Sequence, residues 1–152
     1  MSSKSDGLSI QMLAEYKIIL IEDKLKNLLP GNPFNLKNDF KNIDIKLKDL
    51  IIQEVVDQLH KGFNRKECSK LYYRKYENVF IILVKIRVRL EDGKKKTSLR
   101  CILIVDEFNE LCLILHLYEK NNKENLTHME LNSAKKMLDY YYNELIKEYK
   151  DE

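Results

Sequence analysis

The residues best suited to chemistry fall in one stretch of the chain. Lys85, Arg87 and Arg89 alternate with Ile86, Val88 and Leu90, and Arg100 follows a basic turn carrying Lys94, Lys95 and Lys96. His116, Tyr118 and Lys120 then take every second place at the end of a third apolar run. Alternation of this kind puts the members of each set on one face of a strand. Arginine offers a planar fork matched to phosphate oxygens, and two or three arginines stabilise charge that builds on a phosphorane. A histidine or tyrosine beside them supplies a proton acceptor or donor. The sequence contains no GxGxxG, glycine-rich phosphate loop or GxSxG. It has no pair of histidines at ligand spacing and no acidic cluster of the two-metal kind. Phosphodiester chemistry at these residues is therefore expected to need no metal and no cofactor.

Strand pairing decides whether the set converges. Val79–Glu91, Thr97–Asp106 and Leu111–Tyr118 read as three successive strands, rich in β-branched and aliphatic residues and separated by turn signals. A four-residue connection at 92–95 sets Arg87 opposite Arg100 and Arg89 opposite Ser98. A three-residue loop, Glu107-Phe108-Asn109, with Asn109 in the left-handed position, sets Asp106 against Glu110 and Arg100 against His116. The expected core layer is then Leu99, Cys101, Leu103 and Val105 beside Leu111, Leu113, Leu115 and Leu117. The opposite face gathers Lys85, Arg87, Arg89, Arg100, His116 and Tyr118. Like charges directly across a ladder destabilise a sheet by roughly 0.2–1 kcal/mol. Stability alone gives no reason to set Arg87 against Arg100, whereas an anionic ligand does. A one-residue slip in either hairpin would scatter the set.

The flanking elements frame these strands. Asp44–Lys61 reads as a helix with Leu47, Leu50, Ile51, Val55 and Leu59 on one side and Gly62 at its C-terminal stop. The last helix begins at a capping box, Thr127-x-x-Glu130, with Leu126 and Leu131 placed as a hydrophobic staple. It continues through Ala134, Leu138, Tyr141, Leu145 and Tyr149. Residues 9–29 fit either a helical stripe or, at Tyr16–Ile21, a strand. Phe34–Phe40 alternates weakly, as a short strand would, and 63–78 reads as loop or short helix. The first eight residues look like a disordered tail, followed by one domain over 9–152.

Composition bounds the class. A chain of 152 residues with 44% hydrophobic residues, four Gly and two Pro suits one α+β domain with one core. Residues 60–100 carry thirteen Lys/Arg against four Asp/Glu, while the rest of the chain is net acidic. Such segregation suits a polyanion-facing patch. The longest apolar run, Val79–Val84, is too short for a membrane span, and the start shows no secretory leader. Cys68, Cys101 and Cys112 show no CxxC spacing and read as reduced thiols, which suits a cytoplasmic protein.

The ordered series of short motifs resembles the RelE/HigB family of bacterial toxins. Leu71–Tyr76 followed by Val84-Lys-Ile-Arg-Val-Arg89 looks like the family's entry into its second strand. Gly93-Lys-Lys-Lys-Thr-Ser-Leu-Arg100-Cys-Ile-Leu-Ile is similar to its basic turn and third-strand arginine, with Leu99 in place of an aromatic residue. Leu113-Ile-Leu-His-Leu-Tyr118-Glu-Lys120, with the polar step to Thr127, resembles the fourth strand and its tyrosine-x-lysine ending. The likeness covers about residues 66–148, and the N-terminal piece is longer than usual. Thr97-Ser98 stands where the family commonly has a glycine pair.

The resemblance implies a small antiparallel sheet with N-terminal helices and a C-terminal helix packed on one face, and the basic face left open. It implies an endoribonuclease that cuts mRNA, free or on the ribosome, inhibits translation and is silenced by a cognate antitoxin. The family's catalytic arginines carry over onto Arg87 or Arg89 and onto Arg100, and its tyrosine and lysine onto Tyr118 and Lys120. The 2′-OH next to the scissile phosphate would be the nucleophile, with His116 or Tyr118 as general base or acid. Lys85, Lys94, Lys95, Lys96 and Lys120 would hold RNA. The ParE branch shares the fold but poisons DNA gyrase without cutting RNA. A non-catalytic binding protein of that kind, or a basic RNA- or protein-binding module, stays open at this point.

Overall fold

The computed structural model describes residues 17–20, 33–62, 66, 68–92, 95–123 and 125–151. The expected disordered tail, most of the ambiguous 9–29 segment and Lys94 lie outside them. Five strands form one sheet in the order β1-β5-β4-β3-β2. They are β1 (Lys17–Leu20), β2 (Cys68–Tyr76), β3 (Val79–Asp92), β4 (Lys95–Asp106) and β5 (Leu111–Glu119). β2 to β5 pair antiparallel with their sequence neighbours, and β1 runs parallel to the first half of β5, Lys17 opposite Leu111. Three helices complete the α+β domain: α1 (Leu36–Ile43), α2 (Lys48–Lys61) and α3 (His128–Asp151).

Two local readings change. Phe34–Phe40 is not a strand: Asn35 caps α1 by accepting the Asn38 N–H at 3.0 Å, and Leu36 and Phe40, four apart, share its buried side. The basic, tyrosine-rich segment within 63–78 is β2, closed onto β3 by a turn in which Glu77 has φ 52°. Its alternation is obscured because β2 is an edge strand with a bulge between Lys70 and Tyr72. Lys-rich, bulged edges are a common defence against unwanted strand pairing.

The two long helices keep their expected places. α2 is preceded by a 3₁₀ turn, Ile45–Leu47, and ends at Gly62, whose φ of 88° suits glycine. At α3 the Glu130 N–H donates to Thr127 Oγ1 at 3.1 Å and Glu130 Oε1 accepts the Thr127 N–H at 2.9 Å, so the capping box forms. Leu126 and Leu131 are both half-buried against the core.

The helices do not share a face. α3 lies over the face of Ile81, Leu83 and Asp106, because Tyr141 Oη donates to Asp106 Oδ2 and Asp139 Oδ1 accepts from Tyr72 Oη (2.7 Å) and Arg74 Nη1 (2.8 Å). Cys68, opposite Ile86 on the other face, reaches Gly62 O at the end of α2 with its Sγ. α2, packed on β3, therefore covers the face of Ile82, Val84 and Ile86. Consecutive residues confirm the double cover: Ile81–Val84, Cys101–Val105 and Cys112–Leu115 are all at most 1% exposed. The expectation that both helices pack on one side of the sheet, with the other side open and basic, is thus corrected. The strands read as near-continuous apolar runs because both faces are buried.

Candidate functional site

The β3–β4 register is the one the sequence predicted. Arg87 pairs with Arg100 and Arg89 with Ser98, and pairing continues to Asp92 opposite Lys95. The β4–β5 hairpin differs. Asp106 pairs with Leu111 across a four-residue connection, and a bulge between Ile102 and Leu103 then shifts the ladder. Asp106 accounts for the longer loop: its Oδ1 accepts the Asn109 N–H and its Oδ2 the Asn109 side-chain N–H, both at 2.9 Å. Glu110, with φ 57°, takes the left-handed place expected of Asn109. Past the bulge Ile102 faces His116 and Arg100 faces Tyr118. The predicted Arg100–His116 pairing is off by two residues, and a two-residue offset keeps the face. The expected apolar layer breaks instead, since Leu103 and Val105 now sit beside Ile114 and Cys112.

Two rows cross the sheet on that face. Tyr118, Arg100 and Arg87 stand side by side on β5, β4 and β3, and His116, Ile102 and Lys85 form the next row. Neighbouring strands are about 4.8 Å apart, so each row spans about 10 Å, near the reach of one phosphate and its flanking sugars. Accessibility divides the set. Arg89 is exposed and Arg87 half-buried, and neither makes a hydrogen bond or ion pair with another described residue. Arg100 is 3% exposed and Tyr118 6% exposed. Arg100 Nη1 donates to Leu99 O at 3.3 Å and to Ser98 Oγ at 3.4 Å. The turn after β5 covers this part of the face: Lys120 N donates to Ser98 O at 3.0 Å, Lys123 Nζ lies 4.8 Å over the Tyr118 ring, and Asn125 Oδ1 accepts from Lys85 Nζ at 2.7 Å. The open part of the basic face is the Arg87–Arg89 corner. Lys96 and Lys120 are exposed at its rim, and the Lys95 side chain lies outside the described residues.

His116 sits in a different environment. Its ring is tilted between Phe34 (4.9 Å between centroids) and Tyr118 (5.2 Å), and its side chain is 11% exposed. Nδ1 lies 2.8 Å from Asp39 Oδ2, which also accepts the Leu117 N–H at 3.1 Å. Nε2 is buried without a hydrogen bond, 3.8 Å from Glu130 Oε2. Burial pushes the Glu130 carboxyl up, but Lys123, bonded to both its oxygens at 2.8 Å, the Thr127 N–H and the nearby His116 together hold it below the ordinary carboxylate range. A cleft of about 230 Å³ opens beside the ring, lined by Asp39, Asn42, His116, Tyr118, Asn122 and Lys123 among others. A larger hollow of about 640 Å³ along Asn35–Asp44 lacks this histidine and carries no comparable acid–base pair.

Asp39 is the residue that sequence reading missed. It lies in a segment read as a strand, 77 positions from His116. No local pattern announces it, since only the docking of α1 on β5 brings the two together. Among the described residues no three His, Cys, Asp or Glu side chains group as metal ligands would. Burial raises the Cys101 and Cys112 thiols well above their ordinary range, so both are core residues rather than nucleophiles.

These features define an α+β domain with a cationic corner on one sheet face and a buried carboxylate–imidazole pair beside it. Compared with protein-family models, curated proteins and solved structures, the chain matches none of them. Among the described residues no helix is long and apolar enough to cross a membrane.

Proposed function

We propose that this protein is a RelE/HigB-like toxin, a cytoplasmic mRNA endoribonuclease that works without a metal and inhibits translation. The observation that carries the reading is the row Tyr118–Arg100–Arg87 with His116 and Lys85 in the next row, on one face of three neighbouring strands. Half-buried Arg87 and exposed Arg89 would receive the phosphate. Arg100 would stabilise the charge that develops on it, and His116 or Tyr118 would move the proton of the 2′-OH. Because Arg100 and Tyr118 are buried, RNA must lift the Lys120–Lys123 turn to meet them. A cognate antitoxin with an acidic segment would complement the Arg87–Arg89 corner and silence it.

Purified protein incubated with mRNA, with and without ribosomes and with EDTA, tests this directly. Cleavage that resists EDTA and falls by orders of magnitude in Arg100→Ala is the expected result. Loss of cleavage with EDTA would rule out the mechanism. The burial of Arg100 and Tyr118 favours one second reading: a non-catalytic binding face, gyrase-directed or otherwise, built on Arg87 and Arg89. In that case Arg100→Ala weakens binding no more than loss of any other phosphate contact.

A further inference from the structure

We infer that Asp39 is a positioning residue that holds His116 as its Nδ1–H tautomer and leaves Nε2 as the nitrogen able to exchange a proton. The inference rests on the ribonuclease reading for its consequence but not for its geometry. Asp39 Oδ2 receives two contacts, the Leu117 N–H at 3.1 Å and His116 Nδ1 at 2.8 Å. A carboxylate only accepts, so the hydrogen in the second contact belongs to the imidazole. The neutral ring then carries its lone pair on Nε2.

The surroundings are arranged to keep that assignment. Phe34 and Tyr118 flank the ring at 4.9 and 5.2 Å and oppose its rotation about the side-chain bonds. Asp39 is itself fixed, since it sits in α1 and its carboxylate is tied to the edge of β5 by the Leu117 amide. Among the described residues, the charged and titratable groups around the ring and its cleft are Asp39 from α1, Tyr118 and Glu119 from β5, Lys123 from the following turn and Glu130 from α3. Glu130 Oε2 lies 3.8 Å from Nε2, and Lys123 holds both Glu130 oxygens. Substrate that displaces the Lys123 side chain from the Tyr118 ring would open Nε2 to a 2′-OH. The proton would pass from that hydroxyl to Nε2 as the 2′-oxygen bonds to phosphorus. The P–O5′ bond would break to leave a 2′,3′-cyclic phosphate, and the departing 5′-oxygen would take a proton from solvent. Asp39 would stabilise the imidazolium.

Asp39→Asn and Asp39→Ala together separate this role from a purely structural tie. The amide oxygen still accepts the Leu117 N–H, so the α1–β5 contact is retained. That same oxygen is the one facing Nδ1, so Asp39→Asn keeps the Nδ1–H contact and loses only the negative charge, whereas Asp39→Ala removes the acceptor and frees the proton to move to Nε2. Nitrogen-15 chemical shifts of the neutral His116 ring should report Nδ1–H in the wild type and in Asp39→Asn, and a large share of Nε2–H in Asp39→Ala. RNA cleavage by Asp39→Ala should fall about 10²–10⁴-fold in kcat with little change in KM, and cleavage by Asp39→Asn, which keeps the tautomer, should fall less. Asp39→Glu should recover part of the rate. A wild-type ring carrying Nε2–H, or an Asp39→Ala protein that keeps Nδ1–H or cleaves at the wild-type rate, overturns the inference. If the wild type cleaves no RNA at all, the proposed function falls, and the tautomer measurement still decides the role of Asp39.

Discussion

Replacing Arg87 with methionine should stabilise the fold while weakening RNA binding. Arg87 stands directly across the ladder from Arg100 and makes no hydrogen bond or ion pair among the described residues, so its removal strands no partner. Methionine keeps an unbranched apolar stem of similar length over the half-buried site. Two unit charges about 6 Å apart repel by roughly 0.7 kcal/mol in a water-like dielectric. That falls inside the ~0.2–1 kcal/mol range known for like charges facing each other on a sheet. In a domain of this size the gain corresponds to an increase in Tm of about 0.5–4 °C. Urea unfolding followed by circular dichroism, which suits a protein without tryptophan, measures it. Screening offers an internal control. The Debye length drops from about 10 Å at 0.1 M salt to about 3 Å at 1 M, so the advantage should shrink at high salt. In parallel, the salt dependence of RNA binding should lose about one unit of slope, as for one phosphate contact. An Arg87→Met variant that is less stable than the wild type, or whose gain does not respond to salt, would refute the argument that Arg87 is held against its electrostatic interest by a ligand.

Tyr141→Phe should cost about 1–3 kcal/mol in urea unfolding, because it removes a donor from Asp106, which is fully buried. Burial and the bond to Asp106 also raise the Tyr141 phenol far above its ordinary value, so alkaline titration should find it among the last tyrosines to ionise. Thr127→Ala should lose about 1 kcal/mol through the broken capping box. Glu130, with a folded pKa below its unfolded one, contributes stability that is fully present above the unfolded value and is lost as pH falls through the folded value. Glu130→Gln should therefore flatten the acid limb of the stability curve, read as Tm against pH. Gly62→Ala should destabilise by about 1 kcal/mol in thermal melts through its φ of 88° alone, since an added Cβ meets nothing within 4 Å.

Local signals were enough for the elements that carry their own punctuation. The Thr127–Glu130 box, Gly62 after α2 and the alternating Lys85–Arg89 run are short-range patterns, and each forms as read. The Arg87–Arg100 pairing was also legible, because one tight turn fixes every pair of a two-stranded ladder. Three features were not. β2 hides behind its lysines because an edge strand need bury only part of one side. The β4–β5 hairpin is decided by the Asp106 carboxylate, held in part by Tyr141 from 35 residues further on, and by a bulge that no turn motif announces. Which face of the sheet α3 covers depends on Asp139 meeting Tyr72 and Arg74 across more than 60 positions. The candidate site divides the same way. Residue types and alternation place Arg87, Arg100, His116 and Tyr118 on one face. Docking of α1 and the turn after β5 then bury two of them and supply Asp39, because side-chain burial and long-range carboxylate contacts are properties of packed elements and leave no period in the chain.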